Sequence, residues 1–197
     1  MVPAPAVSSP EVFLWRFGEL ILRVFVFFPA GLYTLRSMEF DWASWQPKEC
    51  ATLLFVVRDG QILLIRKKRG LGAGKINGPG GRIEPGESSL DAAVRETREE
   101  LGIEALSPEL RGELHFQFVD GYSLHCSVFV SENFVGEPIE TSEAVPLWTP
   151  LNAIPYEEMW ADDVCWLPDV LAGWKVRGFF YFENEKLLSH QVAVDAQ

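Results

Sequence analysis

The sequence predicts an α+β protein, an α/β/α sandwich in which helices cover both faces of a mixed β-sheet. Runs rich in β-branched and aromatic residues recur from residue 50 onward, and Asp-Gly pairs at 59–60 and 120–121 mark hairpins between them. Helical patterns begin near residues 89 and 162 and interrupt these runs. Strands mixed with one helix in the middle and another near the end are typical of such a layered fold.

Length, composition and charge limit the kind of protein this is. The 197 residues fit one domain, or one domain with an appendage, and a hydrophobic content of 48% is enough for a sizeable core. The formal net charge of −11 argues against direct binding to a nucleic-acid backbone, which requires a basic surface. The three cysteines follow no metal-ligand spacing, and their odd number argues against a disulfide framework. We therefore expect a cytoplasmic protein.

The N-terminal extension is predicted to comprise residues 1–48, and the folded domain residues 49–197. Residues 1–10 are rich in Pro, Ala and Ser, and we expect them to be disordered. Residues 11–36 are strongly apolar but carry interspersed charges, and their longest uncharged run is too short to span a bilayer. Three interpretations stay open: an amphipathic helix that contacts a membrane surface or a partner, a segment that packs on the domain, or a stretch that is not translated, with Met38 as the real start.

Within the domain, the pattern predicts seven strands, at 52–57, 61–65, 113–119, 122–130, 145–149, 176–182 and 186–194. Helices are predicted from residue 89 to 101 and from 162 to 174, with a turn or short helix at 155–160. The glycine-rich loop 69–81 marks a place where the backbone turns tightly or approaches a ligand closely. The basic triplet 67–69 before it is either a solvated strand end or a phosphate contact.

The helix that begins at residue 89 carries the most informative pattern. Ser88 and Asp91 have capping-box spacing, and Gly102 stands where a left-handed helix stop is expected. One helical face is predicted to be buried, and its members are Leu90, Ala93, Val94, Thr97 and Leu101. A neighbouring face gathers three carboxylates, those of Glu96, Glu99 and Glu100. Such a cluster is explained either by full solvation or by a divalent cation bound to it.

The surrounding pattern resembles the Nudix box and favours the cation. Seven fixed identities fall within 22 positions, which excludes a chance match; they are Gly81, Glu87, Arg95, Glu96, Glu99, Glu100 and Gly102. The resemblance implies the Nudix fold and a hydrolase that uses Mg²⁺, with Mn²⁺ as an alternative. It implies metal ligands, which we expect to be the Gly80 carbonyl, Glu96, Glu99, Glu100 and Glu143. It also implies a catalytic set, Arg95, Glu96, Glu99 and Glu100, in which Arg95 pairs with Glu87; which glutamate is the base stays open.

Two further segments, 67–81 and 154–168, resemble the MutT-homologue branch of this family, which hydrolyses oxidised purine nucleoside triphosphates to the monophosphate and pyrophosphate. This implies a substrate of the 8-oxo-dGTP or 2-hydroxy-dATP type and a role in preventing DNA damage by cleaning the nucleotide pool. The resemblance implies base-pocket residues, which are Asn77, Trp160, Asp162 and Asp163, and nearby pocket residues, which are Thr52, Lys67 and Phe116.

Physical reasoning on the pocket residues agrees with this assignment. Trp160 offers a flat apolar face for a purine, and Asn77 offers an amide donor and acceptor. Asp162 and Asp163 cannot both ionise cheaply in an apolar pocket, so one of them can stay protonated and donate a hydrogen bond. The alternatives are that Trp160 is a core aromatic residue and that Asp162 is only a helix cap.

Other functions also stay open at this point. A Nudix enzyme could act on a methylated purine nucleotide, a dinucleotide or a capped nucleotide instead. A catalytically silent Nudix-like binding module is a further alternative, although the complete box argues against it.

Overall fold

The computed structural model of the chain describes residues 40–195, together with the backbone of residues 12–17 and 20–25. This part of the chain contains twelve strands, two α-helices and a 3₁₀ turn at Tyr156–Glu158. The helices are α1 (Ser89–Leu101) and α2 (Asp163–Leu171). The strands are β1 (Val12–Phe17), β2 (Leu20–Phe25), β3 (Glu49–Arg58), β4 (Gln61–Lys67), β5 (Ile76–Asn77), β6 (Glu104–Leu106), β7 (Glu109–Phe118), β8 (Ser123–Ser131), β9 (Asn133–Val135), β10 (Ala144–Pro150), β11 (Lys175–Glu183) and β12 (Lys186–Asp195).

Ten of these strands form one sheet, in the order β1-β2-β12-β11-β7-β8-β3-β4-β10, with β5 paired to β4 beside this path. The pairs β3–β8 and β7–β11 are parallel and the remaining pairs are antiparallel, so the sheet is mixed, as predicted. Strands β6 and β9 pair separately as a two-stranded sheet. The seven strands predicted from the pattern are all present, whereas the short strands β5, β6 and β9 were not predicted.

The two helices lie on opposite faces of the sheet. Leu54 and Val56 of β3 belong to the apolar core under α1. Phe55, which lies between them in sequence, belongs to the core under α2, where its ring centroid is 6.1 Å from that of Trp166. This alternation has the period of two that a strand buried on both faces requires. The predicted α/β/α sandwich is therefore confirmed.

Both helices differ from the prediction in detail. Helix α1 begins after Ser88, whose hydroxyl accepts a hydrogen bond from the Asp91 amide, and ends at Gly102 with φ 72°, as predicted. The prediction of a buried Leu90 is wrong: its exposed fraction is 41%, and Ala92 is buried instead. Helix α2 stops at residue 171 rather than 174, because the chain turns at Gly173, with φ 92°, to enter β11.

The extension forms strands where an amphipathic helix was one interpretation. Residues 12–17 and 20–25 run as an antiparallel hairpin, and β2 pairs with β12 at the edge of the sheet. The helical interpretation is therefore wrong for these residues, and packing on the domain describes their backbone. The predicted disorder of residues 1–10 lies outside the described residues. In the part of the chain that the structure describes, helices of the length and apolarity needed to cross a membrane are absent.

An aromatic segment, residues 40–45, covers the sheet face opposite α2 along β7 and β11. Phe40 stacks on Tyr181 with ring centroids 5.9 Å apart, and Trp42 lies 5.2 Å from Phe179. Trp45 packs with its ring edge towards a histidine of β7, and its indole N–H donates to a glutamine side chain of the same strand at 3.0 Å. This segment, predicted as part of the extension, thus packs directly on the domain.

Candidate active site

The glycine loop, residues 69–81, meets β3 and α1 at two consecutive glycines. A Cβ on Gly80 would lie 2.0 Å from the carbonyl oxygen of Thr52, and a Cβ on Gly81 would lie 2.4 Å from the carboxylate carbon of Glu96. The Gly81 carbonyl accepts a hydrogen bond from the Thr52 amide at 2.9 Å. Backbone atoms exclude a Cβ at Gly80, whereas at Gly81 a Cβ would meet only the flexible end of Glu96. The absence of a side chain at Gly81 therefore lets the loop backbone and the Glu96 carboxylate lie in direct contact.

Arg95 connects α1 to the segment that follows this loop, residues 82–87. Its Nε and Nη2 donate to the two carboxylate oxygens of Glu87 at 2.9 and 3.0 Å, and Nη2 also donates to the carbonyl of Arg82 at 3.1 Å. Its Nη1 donates to Glu96 at 2.8 Å and to Glu99 at 3.3 Å. The hydrogen bond from Arg95 lowers the pKa of Glu87, and the hydrogen bond to Glu87 in turn raises the pKa of Arg95. The predicted Arg95–Glu87 pair is thus present.

Glu100 is the buried acid of the helix, with only 1% of its side chain exposed. One carboxylate oxygen accepts from the Gly80 amide at 2.8 Å, and the other lies 3.4 Å from the ammonium of Lys67. Burial raises the pKa of Glu100, while Lys67 and the Gly80 amide oppose that rise. Lys67 also donates to the Gly80 carbonyl at 3.5 Å. The charge of Glu100 is therefore held in place by two specific partners.

The three predicted helix carboxylates do not share one exposed face. The exposed fraction of the side chain is 15% for Glu96, 54% for Glu99 and 1% for Glu100. Glu96 and Glu99 each place an oxygen within 3.3 Å of the same Arg95 nitrogen, so two carboxylates converge on one cationic position. Hard carboxylate oxygens are the donors that Mg²⁺ prefers, and this chemistry fits such an ion.

Glu143, the remaining predicted ligand, is engaged elsewhere. Its carboxylate forms an ion pair with Arg69, and its carbonyl accepts from the Lys68 amide at 2.8 Å. Within residues 40–195, groups of three or more His, Cys, Asp or Glu side chains arranged to hold a metal are absent. The basic triplet is thus divided: Lys68 and Arg69 pair with acidic side chains at the surface, and Lys67 turns inward to Glu100.

A pocket of about 360 Å³ opens beside these groups. The seven side chains predicted to bind substrate all line it, and Gly80 lies in its wall; the seven are Thr52, Lys67, Asn77, Phe116, Trp160, Asp162 and Asp163. The fold brings these seven side chains together from four separate strands and from the start of α2. Trp160 is half-buried, and its ring meets that of Phe182 edge-on with centroids 6.0 Å apart. Trp160 also packs against the core under α2, so it is a partly buried core aromatic residue, and its role in binding a base stays a prediction.

Asp162 and Asp163 are both 2% exposed. Asp162 accepts a hydrogen bond from the indole N–H of Trp166 at 2.9 Å, and Asp163 accepts from the amide of Trp160 at 3.0 Å. Burial raises the pKa of both carboxyl groups, and in Asp163 the charge of Asp162 raises it further. Asp162 occupies the position before α2, but its side chain makes no capping hydrogen bond. The helix-cap interpretation is therefore wrong.

Thr52 and Asn77 also contribute polar groups to the pocket. The hydroxyl of Thr52 is buried and, among the described residues, has no hydrogen-bond partner. The side-chain oxygen Oδ1 of Asn77 accepts a hydrogen bond from the Gly78 backbone amide at 2.8 Å, which fixes the orientation of the Asn77 side-chain amide. A buried hydroxyl without a partner costs free energy, so the pocket has a place for a polar ligand group.

A comparison with protein-family models matches the NUDIX domain to residues 47–170. The chain belongs to the Nudix family. It is accordingly a hydrolase of that family, and the fold and the family predicted from the box are both confirmed.

Two named relatives are similar in sequence to most of this Nudix hydrolase. The oxidized purine nucleoside triphosphate hydrolase of Danio rerio is 39% identical over 138 residues, which cover 70% of this chain and 88% of that protein. The protein of the same name from Mus musculus is 37% identical over 135 residues, covering 68% of this chain and 86% of the relative. Among solved structures, the mutator MutT protein of Bacillus halodurans superposes with a TM-score of 0.65 at 28% identity, covering 73% of this chain and 97% of that one.

Several residues in the pocket of this Nudix hydrolase were not predicted. They include Phe118, Tyr122, Leu124, Cys126 and Phe182. Strand alternation carries a signal for part of this set, because residues 116 and 118 of β7 point to one face, as do 124 and 126 of β8. Tyr122 carries no such signal; its hydroxyl donates to Glu49 at 2.6 Å, a contact across 73 residues.

Proposed function

We propose that this Nudix hydrolase cleaves oxidised purine nucleoside triphosphates, of the 8-oxo-dGTP and 2-hydroxy-dATP type, to the nucleoside monophosphate and pyrophosphate. The observation that carries the proposal is the buried pair Asp162 and Asp163 beside Trp160, in one pocket with Asn77 and next to the acidic helix. The names and similarity of the Danio rerio and Mus musculus relatives support it.

The base pocket supports selection of an oxidised purine. An indole face provides stacking area for a flat base. Because burial raises the pKa of both acids, Asp162 and Asp163 together offer one protonated donor and one ionised acceptor near neutral pH. Oxidation changes the donor and acceptor pattern of a purine edge, and a pair that can exchange the proton matches more than one pattern.

The phosphates would extend from this pocket towards the glutamates of α1. Lys67 stands at the boundary, because it lines the pocket and also lies 3.4 Å from Glu100. Glu96, Glu99 and Glu100, together with the Gly80 carbonyl, are the groups that would hold Mg²⁺ or Mn²⁺. Such an ion supplies charge neutralisation of the triphosphate and activation of a water for attack on phosphorus. Arg95 positions these groups by tying α1 to the residues around Glu87.

A substrate panel tests the proposal. Products are separated and quantified by chromatography for 8-oxo-dGTP, 2-hydroxy-dATP, dGTP, dATP, a methylated purine triphosphate, a dinucleotide and a capped nucleotide, in Mg²⁺, in Mn²⁺ and in excess chelator. The triphosphates are scored by release of monophosphate and pyrophosphate, and the last two compounds by release of their two nucleotide products. We expect kcat/KM for the oxidised purines to exceed that for dGTP and dATP by at least about tenfold, which corresponds to ~1.4 kcal/mol. Equal kcat/KM for oxidised and normal purines would refute the substrate assignment. Binding without turnover of any compound would instead identify a silent module.

A further inference from the structure

Two residues of the glycine loop, Gly72 and Lys75, contact the Trp160 ring. A Cβ on Gly72 would lie 3.0 Å from the indole nitrogen and 3.6 Å from two ring carbons, so the Gly72 backbone packs against the ring. Lys75 places its ammonium over the ring, 5.3 Å from the ring centroid. Gly72 and Lys75 contact the indole without lining the pocket themselves, whereas the preceding loop residues Gly70 and Leu71 do line it.

Lys75 is itself fixed at both ends. Its amide donates to the Gly72 carbonyl at 3.0 Å, and its carbonyl accepts from the Lys67 amide at 3.0 Å, which anchors its backbone in the glycine loop. Its ammonium lies 3.0 Å from a carboxylate oxygen of Glu185, in the turn between β11 and β12. The side chain is only 23% exposed, so the ammonium is held over the indole rather than free in solvent.

We infer that Lys75, held by Glu185, is a positioning residue for base binding: it fixes the plane of the Trp160 indole and supplies a positive charge that acts on the acid pair. This inference rests on the proposed role of Trp160 and Asp163 in binding the base. A cation over one face of an indole is attracted by the ring and draws electron density towards itself, which favours an electron-rich purine on the opposite face.

The same ammonium acts on the acid pair through space. The positive charge of Lys75 opposes the rise in the pKa of Asp163 that burial and Asp162 produce. Among residues 40–195, three further titratable groups interact with the pair and are neutral near pH 7, because burial raises their pKa; they are Tyr156 of the 3₁₀ turn, Cys126 of β8 and Cys165 of α2. Removal of the ammonium therefore shifts the ionisation of Asp163 to higher pH.

The test compares four proteins: wild type, Lys75→Gln, Lys75→Arg and Lys186→Gln. Lys186 is an exposed lysine beside the same turn and serves as the control for a lost surface charge. Each protein is assayed for KM and kcat across pH on the nucleotide that wild type prefers in the panel, and for binding of the corresponding monophosphate by tryptophan fluorescence. The melting temperature of each protein is measured to check that all four are folded.

We expect Lys75→Gln to raise KM and the monophosphate Kd roughly 3–10-fold, with kcat within about twofold. The same change should move the pH profile of kcat/KM to higher pH. Lys75→Arg should restore KM, and Lys186→Gln should leave KM, kcat and the pH profile unchanged. Unchanged KM and pH profile in Lys75→Gln, or an equal loss in Lys75→Arg, would overturn the inference. A wild-type preference for some other nucleotide refutes the proposed function separately, because the variants are compared on whichever nucleotide wild type selects.

Discussion

Burial of the acid pair predicts that neutralising Asp162 raises the stability of the protein at neutral pH relative to acid pH, whereas loss of an aspartate before a helix usually lowers stability. Asp162 has 2% of its surface exposed, and burial raises its pKa to about 6. Ordinary aspartate has a pKa near 3.9, so ionised Asp162 destabilises the fold by about 3 kcal/mol. The unfolded chain loses this proton at lower pH than the native protein does. The free energy of unfolding therefore falls as pH rises from about 4 to about 6, and stays lower above that.

Asp162→Asn removes this penalty. The amide keeps a carbonyl to accept the Trp166 N–H, while its own NH₂ group lacks the partner that a substrate would provide, at a cost of about 1–3 kcal/mol. Relative to wild type, we expect the variant to gain about 3 kcal/mol between pH 4 and pH 7. This is a relative gain in melting temperature of roughly 6–12 °C for a chain of this size. The same change should lower kcat/KM for oxidised purine triphosphates by about 1–3 kcal/mol, or roughly 5–150-fold.

The assay is thermal unfolding at pH 4 and pH 7, with kcat/KM for 8-oxo-dGTP and dGTP measured beside it. Asp169→Asn, on the same helix, is the matched control and should shift neither the pH dependence nor the discrimination. Asn and Asp cap helices about equally well, so a helix-cap role would leave the stability of Asp162→Asn near that of wild type at both pH values. Equal loss of stability at pH 4 and pH 7, with discrimination intact, would refute the buried-charge argument.

Three further substitutions test the acidic helix. Glu100→Gln should lower kcat at least ~100-fold, about 2.7 kcal/mol. The side-chain carbonyl of the glutamine can still accept the hydrogen bond from the Gly80 amide, so the circular dichroism spectrum should stay native. Gly81→Ala should displace the flexible carboxylate of Glu96 and lower kcat by more than about tenfold, with a melting temperature near that of wild type. Glu87→Gln should lower the melting temperature at pH 7. Because Arg95 lowers the pKa of Glu87, this deficit should disappear as pH falls through that lowered pKa.

Glu104→Gln is the control for these glutamate variants, since Glu104 forms a surface ion pair with Arg98 and is not among the described residues that line the pocket. It should leave kcat unchanged. A near-wild-type kcat for Glu100→Gln at saturating Mg²⁺ would remove that residue from the mechanism. Global unfolding of Gly81→Ala would show that the glycine is needed for the fold rather than for Glu96, and a pH-independent deficit in Glu87→Gln would exclude its ion pair as the cause.

Local signals in the sequence predicted the features that depend on a few neighbouring residues. The cap at Ser88, the stop at Gly102 and the hairpin turn at 59–60 follow from side-chain and backbone preferences within one turn. The seven substrate-binding residues came from the resemblance, and the fold brings them into one pocket. Periodicity alone would not have gathered residues as far apart as Thr52 and Asp163.

Features that depend on packing between distant segments were not predictable. Glu99 and Glu100 are adjacent, yet one is exposed and the other buried, because Lys67 and Gly80 come from another part of the chain to bind Glu100. The ion pair of Glu143 with Arg69 is also non-local. Helical spacing gives the angle between side chains and leaves open which side meets the sheet, and for this reason Leu90 was placed wrongly.

The aromatic segment has a consequence for synthesis of the chain on the ribosome. Phe40 stacks on Tyr181, about 140 residues further along the chain. At roughly 5–20 residues per second, the partners of this segment emerge about 7–30 s after it does. During that interval Phe40, Trp42 and Trp45 have no finished sheet to cover. The nascent chain therefore presents a cluster of large aromatic side chains before its sheet is complete, and a chaperone that binds apolar segments would meet the cluster during that interval.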